Sequence, residues 1–259
     1  MTMDPSRRFF LRSAGVAATV ATSAVAAHPT AQAPAADGRH PASPTDAYVF
    51  FNPEEAAFVE AAVARLIPAD ETGPGAIDAG VPQFIDRQLA GAWGAGERLY
   101  RSGPWHPGTP QQGYQLPYTP AELFRTALAA LREKSADRGV PFHRLAPAAQ
   151  DKFLRRLQTG EDDLGGVPAE VFFESLWALT LEGFFGDPVY GGNRGMVGWK
   201  LIGFPGAYAN YYHHVDRHNL PFEGPTVSLA DNGRGIIHIH PDIPSSHGGA
   251  VSREGAGHG

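Results

Sequence analysis

Between Pro168 and Phe185 the chain carries Phe172, Phe173, Leu176, Trp177, Leu179, Leu181 and Phe184. At about 100° per residue these cover most of the circumference of a helix, and Glu170, Glu174 and Glu182 fall within roughly a third of the circle. A helix apolar on so many sides either sits at the centre of a domain or meets a partner. Either way it sets the fold class, and the rest of the chain is read for what packs around it.

Several amphipathic stretches are available. Asn52-Pro53-Glu54-Glu55 combines an N-cap residue, a first-position proline and two carboxylates suited to the positive end of a helix. Phe58, Val59, Ala62, Val63 and Leu66 then recur at helical spacing before Pro68. Val81-Pro82 opens a shorter helix with Phe84, Ile85 and Leu89 on one side, and Thr119-Pro120-Ala121-Glu122 reads as a capping box for a helix that ends at Gly139. Further helices are predicted from about Pro147 to Gly160 and from about Gly206 to His218. Alternating strand patterns are lacking; only Gly235 to His240 hints at one. The prediction is a mainly α, single helical domain over 48–218 with long Pro/Gly-rich loops, 102–118 the longest, followed by an irregular polar tail over 219–259.

The N-terminus has a different character. Ser6-Arg7-Arg8-Phe9-Phe10-Leu11-Arg12 is a twin-arginine export motif; Ala14 to Ala27 is a modest apolar stretch, and Ala31-Gln32-Ala33 is a small-residue cleavage site. The apolar stretch is shorter than the roughly 20 residues a bilayer span needs. Residues 1–33 are therefore read as a cleaved signal peptide, with Ala26 or Ala27 as alternative cleavage positions, and the Pro/Ala/Ser-rich 34–47 as a disordered linker. Periplasmic localisation follows as an expectation.

Loss of the leader removes three arginines and one aspartate and takes the net charge from −6 to −8. So acidic a chain is a poor ligand for nucleic acid or for an anionic membrane surface. It has no cysteine, so it can form no disulfide, attach no c-type haem through C-x-x-C-H and hold no thiolate cluster. No G-x-G-x-x-G or P-loop is present, and no G-x-S-x-G. Asp162-Asp163 beside Gly165-Gly166 reads as a turn rather than as paired catalytic carboxylates.

Two constellations remain. The 183–206 segment, GFFGDPVYGGNRGMVGWKLIGFPG, alternates turn residues with large anchors. It is either a structured loop packed on the apolar helix or a docking surface, since aromatic residues and Arg make good interface anchors. His214 and His218 stand four apart on a predicted helix with His213 adjacent, a spacing that can place imidazoles on one metal. Scattered surface histidines are the competing reading.

The order and spacing of several segments resemble a known family. Leu66-Ile67-Pro68-Ala69-Asp70, Pro74-Gly75-Ala76, Ala79-Gly80-Val81 and Phe84-Ile85-Asp86 are similar to the opening signature of gluconate 2-dehydrogenase subunit 3. The likeness continues at Gly183–Pro188 and Tyr190–Asn193 and closes at Gly198–Gly206. The resemblance implies the small subunit of a periplasmic, membrane-associated dehydrogenase. In such a complex a large FAD-containing subunit oxidises a sugar or sugar acid and a cytochrome c subunit, with haem c, takes the electrons onward. The small subunit carries the signal to the twin-arginine translocase for both itself and the flavoprotein. It implies no catalytic residue, cofactor or metal in this chain, and a membrane association only through the complex. On this reading Arg7 and Arg8 are the export signal, and the expected partner interface comprises Tyr190, Asn193, Arg194, Trp199 and Phe204, with Tyr208, Tyr211 and Tyr212 next. The rival is a free-standing periplasmic metal-binding protein using His213, His214 and His218.

Overall fold

Local signals place the helices. The computed structural model describes residues 47–208 except 107, 110, 111, 113 and 114, together with 222 and 224–234. Helix α1 (Pro53–Leu66) starts in a full capping box, the Asn52 carboxamide accepting from the Glu54 and Glu55 N–H groups while the Glu55 carboxylate accepts from the Asn52 N–H. Helix α2 spans Val81–Ala90, and α3 spans Pro120–Arg138 behind a second capping box of Thr119 and Glu122. Gly139 closes α3 in the left-handed region, at φ 72°. Helix α4 (Pro147–Gln158), α5 (Ala169–Phe185) and α6 (Val197–Ile202) complete the α-helices among the described residues. Strands β1 (Asp163–Leu164) and β2 (Val167–Pro168) form a minimal antiparallel hairpin across Gly165-Gly166. Lys134 and Arg156 hold Asp162 beside it at 3.1 Å, so this acidic pair belongs to a turn.

The apolar helix is the centre of the domain. Helices α1, α2, α3, α4 and α6 all pack against α5. Its Phe172, Leu176 and Phe184 are fully buried; Glu170, Glu174, Ala178 and Glu182 form its exposed stripe. Phe172 meets Phe124 of α3 at a ring separation of 5.2 Å and Phe58 of α1 at 6.4 Å, while Phe142 and Phe153 extend the aromatic cluster. Among the described residues no helix is long and apolar enough to cross a membrane.

The chain enters this core through a clamp. Asp86, buried at 1% exposure inside α2, accepts hydrogen bonds from the N–H groups of Val49, Phe50 and Phe51 at 2.8, 2.9 and 2.8 Å. Arg125 of α3 lies 3.8 Å over the Phe50 ring, donates to the Phe50 carbonyl and pairs with Glu55. Tyr48 donates to Glu60, and burial, reinforced by that bond, raises the pKa of its hydroxyl above the usual phenol value.

One predicted element changes. The helix expected to open at Gly206 does not: Gly206 has φ 94° and forms a parallel bridge to Val227, while Ala207 donates to the Val227 carbonyl. A β-carbon at Gly206 would overlap that carbonyl, so the position is fitted to a close strand rather than to a helix start. Residues 209–218, residues 34–46 of the predicted 34–47 linker, the leader and 235–240 lie outside the described residues.

The α3 cap carries a pH signature. Hydrogen bonds from the Thr119 N–H, and then from its side chain, hold the Glu122 carboxyl below the ordinary glutamate range. A depressed folded-state pKa stabilises fully at neutral pH and loses its effect as pH falls through the lowered value. The stability difference between wild type and Glu122→Gln should therefore shrink between about pH 5 and pH 3 in thermal melts.

Candidate functional site

The 183–206 segment is built as the C-terminal cap of α5. The last carbonyls of a helix have no partner within it, and a buried end needs them supplied. Here the Asn193 N–H donates to the Gly183 carbonyl at 2.7 Å, the Asn193 side-chain amide to Gly186 at 2.9 Å, and the Trp199 indole N–H to Phe185 at 2.6 Å. The Asn193 side-chain oxygen accepts from the Gly198 N–H at 2.8 Å, which closes the loop on itself. Gly192 and Gly198 permit the approach: β-carbons there would overlap the carbonyls of Gly183 and Phe184. Asn193 takes φ 45°, a left-handed conformation that Asn tolerates better than most residues.

This geometry sorts the predicted interface residues. Asn193 is 0% and Trp199 5% exposed, so both stand inside the domain as struts beneath its surface. Both bury polar side-chain atoms because α5 ends inside the protein. Arg194 is half-buried; its N–H donates to the Ala79 carbonyl and its side chain lies across Gly80. Tyr190 and Phe204 stand exposed, at 61% and 43%, with Phe204 stacked edge-on against Trp199 at 5.1 Å. Tyr208 is half-buried and donates to the Pro225 carbonyl. Tyr211, Tyr212, His213, His214 and His218 lie outside the described residues, as do Arg7 and Arg8. The N–H groups of Asn193, Arg194 and Met196 are all bonded within the chain, which removes them as a phosphate cradle.

Two aspartates do what sequence reasoning did not assign. Asp86 makes the clamp described above; its signal is a carboxylate beside Ile85 in an apolar part of α2. Asp187 accepts from the Val189 N–H at 2.9 Å, the Ser228 hydroxyl at 2.6 Å and the Leu229 N–H at 2.8 Å. It thus fastens a strap, residues 225–231, over the capping loop, and Val227 and Ser228 of that strap are buried. This part of the predicted irregular tail is packed structure. Asp187→Ala should release the strap: the amides of Val227 and Leu229 should lose hydrogen-exchange protection while those of α5 keep theirs.

A shallow cleft of about 150 Å³ lies elsewhere, between Leu99, Tyr100, Arg101 and Trp105 on one side and Gln115 to Tyr118 on the other. Tyr48, whose hydroxyl burial pushes up, is not among its walls. Among the described residues no group of three His, Asp or Glu is placed to hold a metal ion.

Helices wrapped around one apolar helix, with the distinctive Asn, Trp and Gly residues engaged in capping it, define a small, mainly helical domain. The chain belongs to the gluconate 2-dehydrogenase subunit 3 family, whose sequence profile matches residues 53–206. Searches of curated proteins and of solved structures find no match. The matched region runs from the first residue of α1 to the bridge at Gly206, and the strap lies beyond it.

Proposed function

We propose that the chain is the non-catalytic small subunit of a membrane-associated, FAD-dependent gluconate or sugar dehydrogenase complex. In this role it supports folding of the flavoprotein subunit, its co-export by the twin-arginine translocase and its assembly with a cytochrome c subunit. The observation that carries the reading is the family match over 53–206, which takes in all six described α-helices rather than one shared motif. Two sequence features support it. A twin-arginine motif at Arg7-Arg8 suits a route for folded, cofactor-loaded cargo, and the absence of cysteine leaves thioether-linked haem to another chain. FAD and haem c belong to the partners on this reading, and substrate specificity belongs to the flavoprotein.

Affinity isolation of the tagged chain from periplasmic and membrane fractions tests the proposal. The expected isolate shows flavin and haem absorbance in constant ratio to the chain. A chain isolated alone, with about one metal ion bound per molecule, would instead favour the histidine-based metal-binding alternative.

A further inference from the structure

The capping loop and the strap leave a group of large apolar side chains in solvent. Val189, Tyr190, Ile202, Phe204 and Leu229 are 50%, 61%, 52%, 43% and 48% exposed. Phe204 lies edge-on against Trp199, and Trp199 and Val227, both buried, meet at Gly206. Asp187 bonds the N–H groups of both Val189 and Leu229, so the strap and the loop present their apolar residues together. The backbone beneath is held by Asn193, Trp199 and Asp187, and side chains on such a base lose little freedom when they bind.

We infer that this surface is the seat of the flavoprotein subunit, and that the strap beyond the family-matched region completes it. The inference rests on the proposed function. The occupant follows from area. These side chains offer about 400–500 Å² of apolar surface, against about 800 Å² per partner in a stable complex. Two copies joined through this patch alone would fall short, and pairing two chains of net charge −6 adds like-charge repulsion to any contact beyond it. A large partner that contacts the patch and continues past its polar rim reaches the required size, with Tyr190 and Phe204 as aromatic anchors.

The test uses the full chain co-expressed with its flavoprotein, comparing wild type, the double variant Tyr190→Asp/Leu229→Asp, and Tyr100→Asp. Tyr100, 80% exposed beside the distant cleft, serves as the control. The double variant should retain roughly tenfold less flavin per chain or lower, and Tyr100→Asp should match wild type. Wild-type retention in the double variant, or loss in Tyr100→Asp alone, overturns the surface and leaves the subunit reading standing. A wild-type chain that holds no flavoprotein overturns both. The melting temperature of the isolated double variant should stay within about 2 °C of wild type, as expected for exposed positions. A larger drop would show that the chain's own remaining residues cover the patch, and a wild-type dimer split by the substitutions with flavin retained would assign it to a second copy; either result overturns the proposal.

Discussion

Asp86→Ala should lower the stability of the domain by about 3 kcal/mol, equivalent to roughly 6–12 °C in melting temperature. Three N–H groups share one buried carboxylate, and hydrogen bonds to a charged acceptor contribute about 1.5–3 kcal/mol each. The full sum is not expected, because the 48–51 segment can lift away and return those donors to water. What is then lost is the docking of the segment, including the buried Phe51 ring and the Phe50–Arg125 stack. Asp86→Asn should fall between. Its single oxygen can keep the bonds to Phe50 and Phe51, but its amide meets the Val49 N–H donor to donor. Thermal melts of the three proteins, with hydrogen exchange at residues 49–51, check the ranking. Equal melting temperatures for wild type and Asp86→Ala would remove the clamp from the account.

The helices were legible because their determinants are local. Asn52 and Thr119 announce their capping boxes within four residues, and the apolar stripes of α1 to α4 are read at the helical period. The centrality of α5 was legible from its all-round apolar character, which no exposed helix could carry. The capping loop was harder. Gly191-Gly192-Asn193 looks like an ordinary turn in one dimension, and Trp199 like an anchor facing outward. Their partners are carbonyls at the end of α5, seven to fourteen residues away, and no local pattern encodes that closure. Gly206 was misread for the same reason, since its conformation is set by Val227 across the strap. The strap itself has no periodicity and is held by Asp187, forty-two positions from Leu229.

The segments that carry the family resemblance meet in space. Ala79 and Gly80 receive Arg194, Gly183 packs on Phe84, and the Gly183 carbonyl receives Asn193. The family signature among the described residues is thus the architecture of a capped central helix. That places the signature residues Ala79, Gly80, Phe84, Gly183, Asn193 and Trp199 inside the domain, while Tyr190, Ile202 and Phe204 of the same signature stay exposed.

Escort of a flavoprotein through one shared export signal, as proposed, is checked with Arg7→Lys/Arg8→Lys in cells producing the whole complex. The substitution keeps both positive charges and alters no residue of the helical domain, so it leaves folding and assembly intact. It removes only the planar guanidinium pair, which an ammonium does not reproduce in hydrogen-bond geometry. Flavoprotein and dehydrogenase activity are then measured in periplasmic and cytoplasmic fractions. Both chains should accumulate together in the cytoplasm, with flavin bound, and periplasmic activity should be lost. Normal periplasmic activity, with this chain alone held back, would contradict it.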